Sequence, residues 1–137
     1  MIKEIVHDDF FLSQKSLEAL KEDLYIADDL LDTVLAHKQR CVGMAANMIG
    51  YLKTMLVFLD SDNNYKIMIN PKIIKSEGLY KTKEGCLSHI GERECQRYKK
   101  IKVEYYDLDF KIKIKTYQGF TAEIIQHEMD HFQGILI

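Results

Sequence analysis

The stretch His127-Glu128-Met129-Asp130-His131 is an H-E-x-x-H pentad close to the end of the sequence. Two histidines four residues apart on a helix project from one face, so both imidazoles can bind one metal ion. The glutamate between them is placed to act as a general base toward a water that the ion activates. The pentad therefore predicts a metal-binding helix, with Glu128 as its acid/base residue.

The third metal ligand has to come from upstream, because no side chain after His131 is a good metal ligand. Six upstream cysteines and histidines are candidates: Cys86, Cys41, Cys95, His7, His37 and His89. Cys86 follows a glycine in the segment E-G-C-L-S at 84–88, and glycine allows the backbone to approach another element closely. A thiolate and two imidazoles leave the fourth position of a tetrahedral ion open for water, which is typical of catalytic zinc sites. This pattern favours Cys86.

The composition is that of an ordinary soluble globular protein, with 47% hydrophobic and 29% charged residues. A length of 137 residues fits one domain spanning 1–137. The net charge of −2 gives no reason to expect nucleic-acid binding. We expect no membrane span and a cytoplasmic location, because no apolar run is long enough for a bilayer and the first residues lack a signal-peptide core. Three cysteines, an odd number, disfavour a disulfide framework.

Hydrophobic periodicity predicts the elements of the first half of the chain. Apolar side chains recur every three or four residues in 16–38, which indicates an amphipathic helix with room for one break. Residues 51–59 and 65–69 are predicted to be strands joined by the polar turn 60–64. Pro71, the only proline, is expected to end the second strand or to lie at a sheet edge.

The second half predicts a hairpin and a helix. Apolar and polar residues alternate in 100–107 and again in 110–117, with a plausible turn between them. The final helix is expected to begin near Thr121, a suitable N-cap, and to stop at Gly134. The predicted fold class is α+β, with antiparallel strands around a C-terminal metal-binding helix and an N-terminal helix packed outside.

Three motifs occur in the order found in peptide deformylases, and together they resemble that family. C-V-G-M-A-A-N-M-I-G at 41–50 is similar to the family pattern G-x-G-hydrophobic-A-A-x-Q-x-G. E-G-C-L-S at 84–88 and H-E-M-D-H at 127–131 match their family patterns in full. The resemblance covers nearly the whole chain. It implies a single peptide-deformylase-like domain that removes the formyl group from the N-formyl-methionine of nascent bacterial polypeptides.

The resemblance also implies roles for individual residues. Cys86, His127 and His131 would bind one divalent metal ion, usually Fe²⁺ in this family, with Zn²⁺, Ni²⁺ or Co²⁺ as alternatives. Glu128 would be the acid/base, and the backbone N–H of Leu87 would donate to the developing oxyanion. Substrate contacts are implied for Gly43, Met44, Met48, Gly85 and Arg97. The implied partner is a formyl-methionyl peptide, met at the ribosome by a monomeric enzyme.

The first motif departs from the family at two positions. Cys41 replaces its first glycine, and Met48 stands where the family has a glutamine whose amide donates to the oxyanion. Methionine has no hydrogen to donate, and loss of one such donor typically lowers kcat by about 10²–10³. We therefore expect a compact, divergent member with reduced activity.

Two other functions remain open from the sequence. One is hydrolysis of a different amide in the same site, with Met48 reflecting the change of substrate. The other is a metal-binding paralogue with little or no turnover. Retention of Glu128 disfavours the second, because metal ligation alone does not need a general base. The sequence favours a structural zinc site even less, because such a site needs four ligands and only three good ones are evident.

Overall fold

The computed structural model describes residues 1–137 and contains three α-helices and one five-stranded sheet. The helices are α1 (Asp9–Leu12), α2 (Tyr25–Ala36) and α3 (Gly119–Phe132). The strands are β1 (Gly43–Ala45), β2 (Met55–Leu59), β3 (Tyr65–Gly85), β4 (Glu92–Tyr106) and β5 (Ile112–Gln118). Short 3₁₀ helices occupy Lys21–Asp23 and Ala46–Ile49. The α+β prediction is confirmed.

Every neighbouring pair of strands is antiparallel, in the spatial order β1-β2-β3-β4-β5. The side chains of β2 are buried on both faces of the sheet, which explains its unbroken apolar sequence M-L-V-F-L. On one face Met55 and Val57 pack in a cluster with α2. On the other face Leu56 and Phe58 pack with α3. Helices α2 and α3 therefore lie on opposite faces of the sheet.

The structure corrects the prediction for 16–38. Its first part is extended rather than helical, because the backbone N–H and C=O of Leu17 hydrogen-bond to Leu52 and Thr54. The side chain of Asn70 likewise donates to and accepts from the backbone of Ala19. With those backbone groups paired to distant parts of the chain, the α-helix begins only at Tyr25.

The second predicted strand is too short. β3 continues beyond Ile69 as far as Gly85, and β4 begins at Glu92, eight residues before the predicted hairpin. Pro71 does not end β3. Pro71 comes after the last residue of β3 that pairs with β2, at a point where the register between β3 and β4 is irregular. Its missing N–H therefore removes no hydrogen bond to β2. The first predicted strand is shortened to Met55–Leu59.

The hairpin β4–β5 is present, with Ile101 opposite Tyr117 and Val103 opposite Lys115. The prediction that both strands bury their apolar side chains is correct for Ile101 and Val103 of β4, but Ile112 and Ile114 of β5 are exposed. Helix α3 begins two residues before Thr121, and no side chain caps its first turn. The predicted stop is correct: Gly134 takes a positive φ of 75°, and a Cβ there would clash with the carbonyl oxygen of Ser13. None of the helices has both the length and the apolar character needed to cross a membrane.

Candidate metal centre and substrate cleft

Cys86, His127 and His131 form a cluster in which the three potential ligand atoms lie within 4.8 Å of one another. The Sγ of Cys86 is 3.5 Å from Nε2 of His131. Both histidines are buried, and Cys86 is partly buried. The helical spacing of α3 places the two imidazoles together, with ring centroids 5.0 Å apart. The structure thus brings together the three residues that the sequence selects as ligands.

Cys86 reaches α3 because it follows the end of the long β3–β4 ribbon. The two strands stay paired as far as Gly85 and Glu92, and a turn joins them. The N–H of His89 closes this turn on the carbonyl of Cys86 at 3.2 Å, and Gly91 supplies a positive φ of 81° before β4 begins. The paired strands and the turn therefore position the thiol beside the helix, where Cys86 also packs against the core cluster that contains Met48.

A buried network orients His127. Arg97 donates from Nε and Nη2 to Glu84 at 3.0 and 2.7 Å, and from Nη1 to Asp130 at 2.7 Å. The Oε1 of Glu84 lies 2.6 Å from Nδ1 of His127. When Nδ1 carries a proton and donates it to Glu84, Nε2 is left with a lone pair for a metal. Burial disfavours the charge on Glu84, but hydrogen bonds from His127 and Arg97 prevail and lower the pKa of Glu84 to about 2.

Glu128 is buried beside the cluster, and its Oε1 has no hydrogen-bond partner within the protein. Burial, partly opposed by the nearby charge of His127, raises the pKa of Glu128 to about 7. A carboxyl group with a pKa near neutrality is suited to accept a proton and return it. Its position depends on Gly43, because a Cβ there would lie 3.0 Å from Oε2 of Glu128 and 2.7 Å from Ile124.

A cleft of about 400 Å³ opens over these residues. Of the residues implied for substrate or oxyanion contact, it is lined by Gly43, Met48, Gly85 and Leu87. The N–H of Leu87 has no acceptor within the protein. One wall is formed by residues 40–43, which lead into the edge strand β1, and the other by residues 83–85 at the end of β3. The cleft can therefore take an extended chain between two stretches of backbone.

Met48 and Asn47 lie on the 3₁₀ helix Ala46–Ile49, opposite α3. The Sδ of Met48 is 4.0 Å from the Sγ of Cys86, so a thioether occupies the position for which the family motif has an amide. Asn47 cannot supply the missing donor. Its amide nitrogen donates to the carbonyl of His131 at 3.1 Å, and its side chain is fully buried outside the cleft.

Two residues implied for substrate contact lie elsewhere. Arg97 is only 3% exposed and is held behind His127 by Glu84 and Asp130. Met44 is a core residue of the face that packs against α2. The sequence reasoning does not single out Glu84, Asp130 or Asn47 as partners of the site. Glu84 lies inside the second motif and Asp130 inside the third, and only these positions in the sequence point to a role in the site.

The remaining candidate ligands are outside the cluster. Cys41 lines the cleft but its Sγ donates to the carbonyl of Gly43 at 2.8 Å. Cys95 lies on β4 and contacts the carbonyl of Thr82. His89 lies in the turn after Cys86, and its side chain is only 6% exposed.

The cluster fits a divalent transition-metal ion. One thiol and two imidazoles are the soft and borderline donors that such ions prefer. The ring of His127 is oriented by a carboxylate, the arrangement usual around metal-binding histidines. Burial lowers the pKa of His131 to about 3, which favours the neutral imidazole that a metal requires. At His127 burial is outweighed by Glu128, Cys86 and Glu84, which raise its pKa to about 10, so a metal ion that binds there has to displace a proton.

Comparisons with known proteins agree with this geometry. The family model described as polypeptide deformylase matches residues 3–137. A peptide deformylase of Clostridium beijerinckii is 55% identical over 137 residues, covering all of both chains. One of Desulforudis audaxviator is 36% identical, covering 96% of this chain and 88% of the relative.

Solved structures give the same result. A class I type b peptide deformylase of Acinetobacter baumannii bound to Met-Ala-Ser superposes with a TM-score of 0.88 at 27% identity, covering 99% of this chain and 97% of that one. The peptide deformylase of Thermus thermophilus also gives 0.88, at 31% identity, with 99% and 83% covered.

Proposed function

The chain belongs to the peptide deformylase family and hydrolyses the formyl group from N-formyl-methionine peptides, and on this premise we propose that Cys86, His127 and His131 hold its single divalent metal ion. The observation that carries the assignment is the clustering of these three side chains beside a buried glutamate. The two alternatives, a different amide substrate and a paralogue without turnover, find no support in relatives named as peptide deformylases.

A divalent ion in this cluster would supply Lewis-acid activation of the attacking water and of the formyl carbonyl. Glu128 then handles the proton: Oε1 takes it from the water and later gives it to the amine nitrogen that leaves. Two features support this role. Oε1 has no hydrogen-bond partner within the protein, and Glu128 lines the cleft beside the three candidate ligands.

The backbone N–H of Leu87 stabilises the oxyanion that develops on the formyl group. It lines the cleft next to Cys86 and has no acceptor within the protein. No second donor comes from Met48. We therefore propose that this enzyme is slower than a relative with a glutamine at that position, by up to about 10²–10³.

The substrate backbone lies between the two walls of the cleft. Gly43 presents its backbone groups at the free edge of β1, and Gly85 presents those at the end of β3, whereas the backbone of Met44 is paired with Val57 of β2. A formyl peptide added to an edge strand gains main-chain hydrogen bonds that do not depend on its sequence. Arg97 acts indirectly, as a positioning residue that holds Glu84 against His127.

We further propose Fe²⁺ as the native metal, on the strength of the family resemblance. The affinity order for divalent ions places Zn²⁺ above Fe²⁺, and Ni²⁺ and Co²⁺ also suit these ligands. We place the enzyme in the cytoplasm as a monomer of one domain, 1–137, that meets formyl-methionyl chains at the ribosome. N-formyl-methionine begins new bacterial polypeptides, so the substrate first becomes available there.

A formate-release assay on formyl-Met-Ala-Ser under anaerobic conditions, with metal analysis of the same sample, tests the proposal. We expect one divalent ion per chain and release of formate. The variant Cys86→Ala should lose both the ion and the activity. Cys95→Ala is the matched control, because Cys95 lies outside the cluster, and it should keep both. Full metal occupancy in Cys86→Ala would reject the ligand set.

A further inference from the structure

Two positively charged side chains line the cleft, Arg40 and Lys83. Both are exposed, and neither forms an ion pair or a side-chain hydrogen bond with the rest of the protein. By contrast, Arg97 beside the metal cluster is paired with Glu84 and Asp130. Arg40 and Lys83 are therefore free to pair with a ligand in the cleft.

Their positions place them on opposite walls. Arg40 lies three residues before Gly43, at the approach to the edge strand β1. Lys83 lies two residues before Gly85 on β3, and alternate residues of a strand face the same side. A peptide bound between Gly43 and Gly85 would have one cation beside it on each wall.

Three carboxyl groups also line the cleft, but each is accounted for. Glu84 is bound by Arg97 and His127. Glu123 accepts from the hydroxyl of Tyr80 at 3.2 Å, and burial together with the nearby Glu84 raises its pKa. Glu128 is buried beside the metal cluster. None of them forms an ion pair with Arg40 or Lys83.

We propose that Arg40 and Lys83 make the enzyme favour formyl-methionyl peptides that carry acidic side chains directly after the methionine. The proposal rests on the proposed function, because it places the substrate between Gly43 and Gly85. The formylated amine is neutral, so the charge of a substrate's first residues comes from side chains alone. Charge complementarity around a site usually sets specificity more than total affinity.

The expected preference is modest, because exposed ion pairs are weak. Each ion pair between Arg40 or Lys83 and an acidic side chain of the peptide should change kcat/KM by roughly two- to fivefold. The comparison uses three peptides amidated at the C-terminus, which removes the carboxylate that would otherwise confuse the result: formyl-Met-Ala-Ser, formyl-Met-Asp-Asp and formyl-Met-Lys-Lys. We expect the order acidic, neutral, basic, with the differences shrinking as salt is raised toward 1 M, where the screening length is about 3 Å.

Variants identify the residues responsible. Arg40→Gln and Lys83→Gln should each reduce the preference, and the double variant Arg40→Glu with Lys83→Glu should reverse it. Lys81→Gln is the matched control, because Lys81 is exposed two residues before Lys83 on the same strand but does not line the cleft. It should leave the order of the three peptides unchanged.

Equilibrium binding of the same peptides separates this proposal from the proposed function. A preference for acidic peptides in binding, with no formate released from any of them, would reject the function and keep the charge selection. Equal binding and equal kcat/KM for all three peptides would overturn the charge selection and leave deformylation intact. An unchanged order in the double Glu variant would also overturn it.

Discussion

The two elements that face Cys86, helix α3 and the 3₁₀ helix Ala46–Ile49, differ in the polar groups that they bring to the cleft. Helix α3 contributes His127, Glu128 and His131, all buried, and His127 is held by a carboxylate that an arginine holds in turn. The 3₁₀ helix Ala46–Ile49 contributes the thioether of Met48 and no hydrogen-bond donor to the cleft. The half of the site that we propose to bind metal and move protons has all its side chains in place, and the half that we propose to stabilise the oxyanion offers backbone donors alone.

The contrast indicates that the two tasks can vary separately. A metal ligand must match a donor type and a distance, so its replacement removes the ion. An oxyanion donor adds to the rate without being needed for metal binding. Four substitutions probe this difference, two of them at Glu128 and at its neighbour in the network, Glu84, and two on the 3₁₀ helix, from the largest expected effect to the smallest.

Replacing Glu128 by Gln should abolish nearly all turnover while the metal stays bound. The amide has almost the same shape, but it cannot take the proton from water. General acid–base catalysis contributes about 10²–10⁴-fold, so the loss of kcat should fall in that range. Formate release and metal content are measured on the same sample. Residual activity above about one-tenth of the unaltered enzyme would remove Glu128 from the role of proton carrier.

Replacing Met48 by Gln should raise kcat on formyl-Met peptides, by up to about 10²–10³, if the amide takes the geometry of the family motif. KM should change little, because the added donor acts on charge that forms only in the transition state. Met48→Leu is the matched control, since leucine changes shape without adding a donor. An equal gain in Met48→Leu would mean that packing against Cys86, not hydrogen bonding, limits the rate.

Replacing Glu84 by Gln should weaken metal binding by about 10–100-fold, the usual consequence of losing the partner that orients a metal-binding histidine. The substitution also leaves Arg97 with one buried carboxylate fewer. Competition with a chelator gives the metal dissociation constant directly. Glu77→Gln, at an exposed position of the same strand, serves as control. Unchanged metal affinity in Glu84→Gln would show that α3 alone fixes the ring of His127.

Replacing Asn47 by Leu should lower the free energy of unfolding by about 0.5–1.5 kcal/mol, the net contribution of a typical hydrogen bond. Asn47 donates to the carbonyl of His131 and thereby joins the 3₁₀ helix to α3. Its own Oδ1 is buried without a partner, so the loss should be small. Denaturant unfolding of the metal-free protein measures it. A loss of activity far beyond the loss of stability would instead make Asn47 a functional residue.

The alternation of apolar and polar residues is sufficient to predict a strand that buries the side chains of one face only. Ile101 and Val103 alternate with lysine and glutamate, which predicts the strand that β4 forms there. The same rule fails for 72–79, where every residue is exposed and no alternation exists. Those residues form a strand because their backbone pairs with β4, and the sequence carries no periodic signal of that pairing.

The site can be predicted where chemistry is local. The i,i+4 spacing of His127 and His131 on a helix fixes their common face, and the donor type of Cys86 and its preceding glycine favour it as the third ligand. The place of Arg97 cannot be found this way. Arg97 and Glu84 meet across the β3–β4 ribbon, and Asp130 meets them from α3. Three elements far apart in sequence have to be placed before that contact exists.

The β3–β4 ribbon brings Cys86 to a helix that is made much later than Cys86 itself. Cys86 precedes His127 by 41 residues (127 − 86), and β4 and β5 lie between them. At a translation rate of roughly 5–20 residues per second, the thiol exists for about two to eight seconds before its first imidazole partner has been made. During that interval Cys86 and His127 cannot share an ion, so the proposed metal centre can form only after α3 has been made.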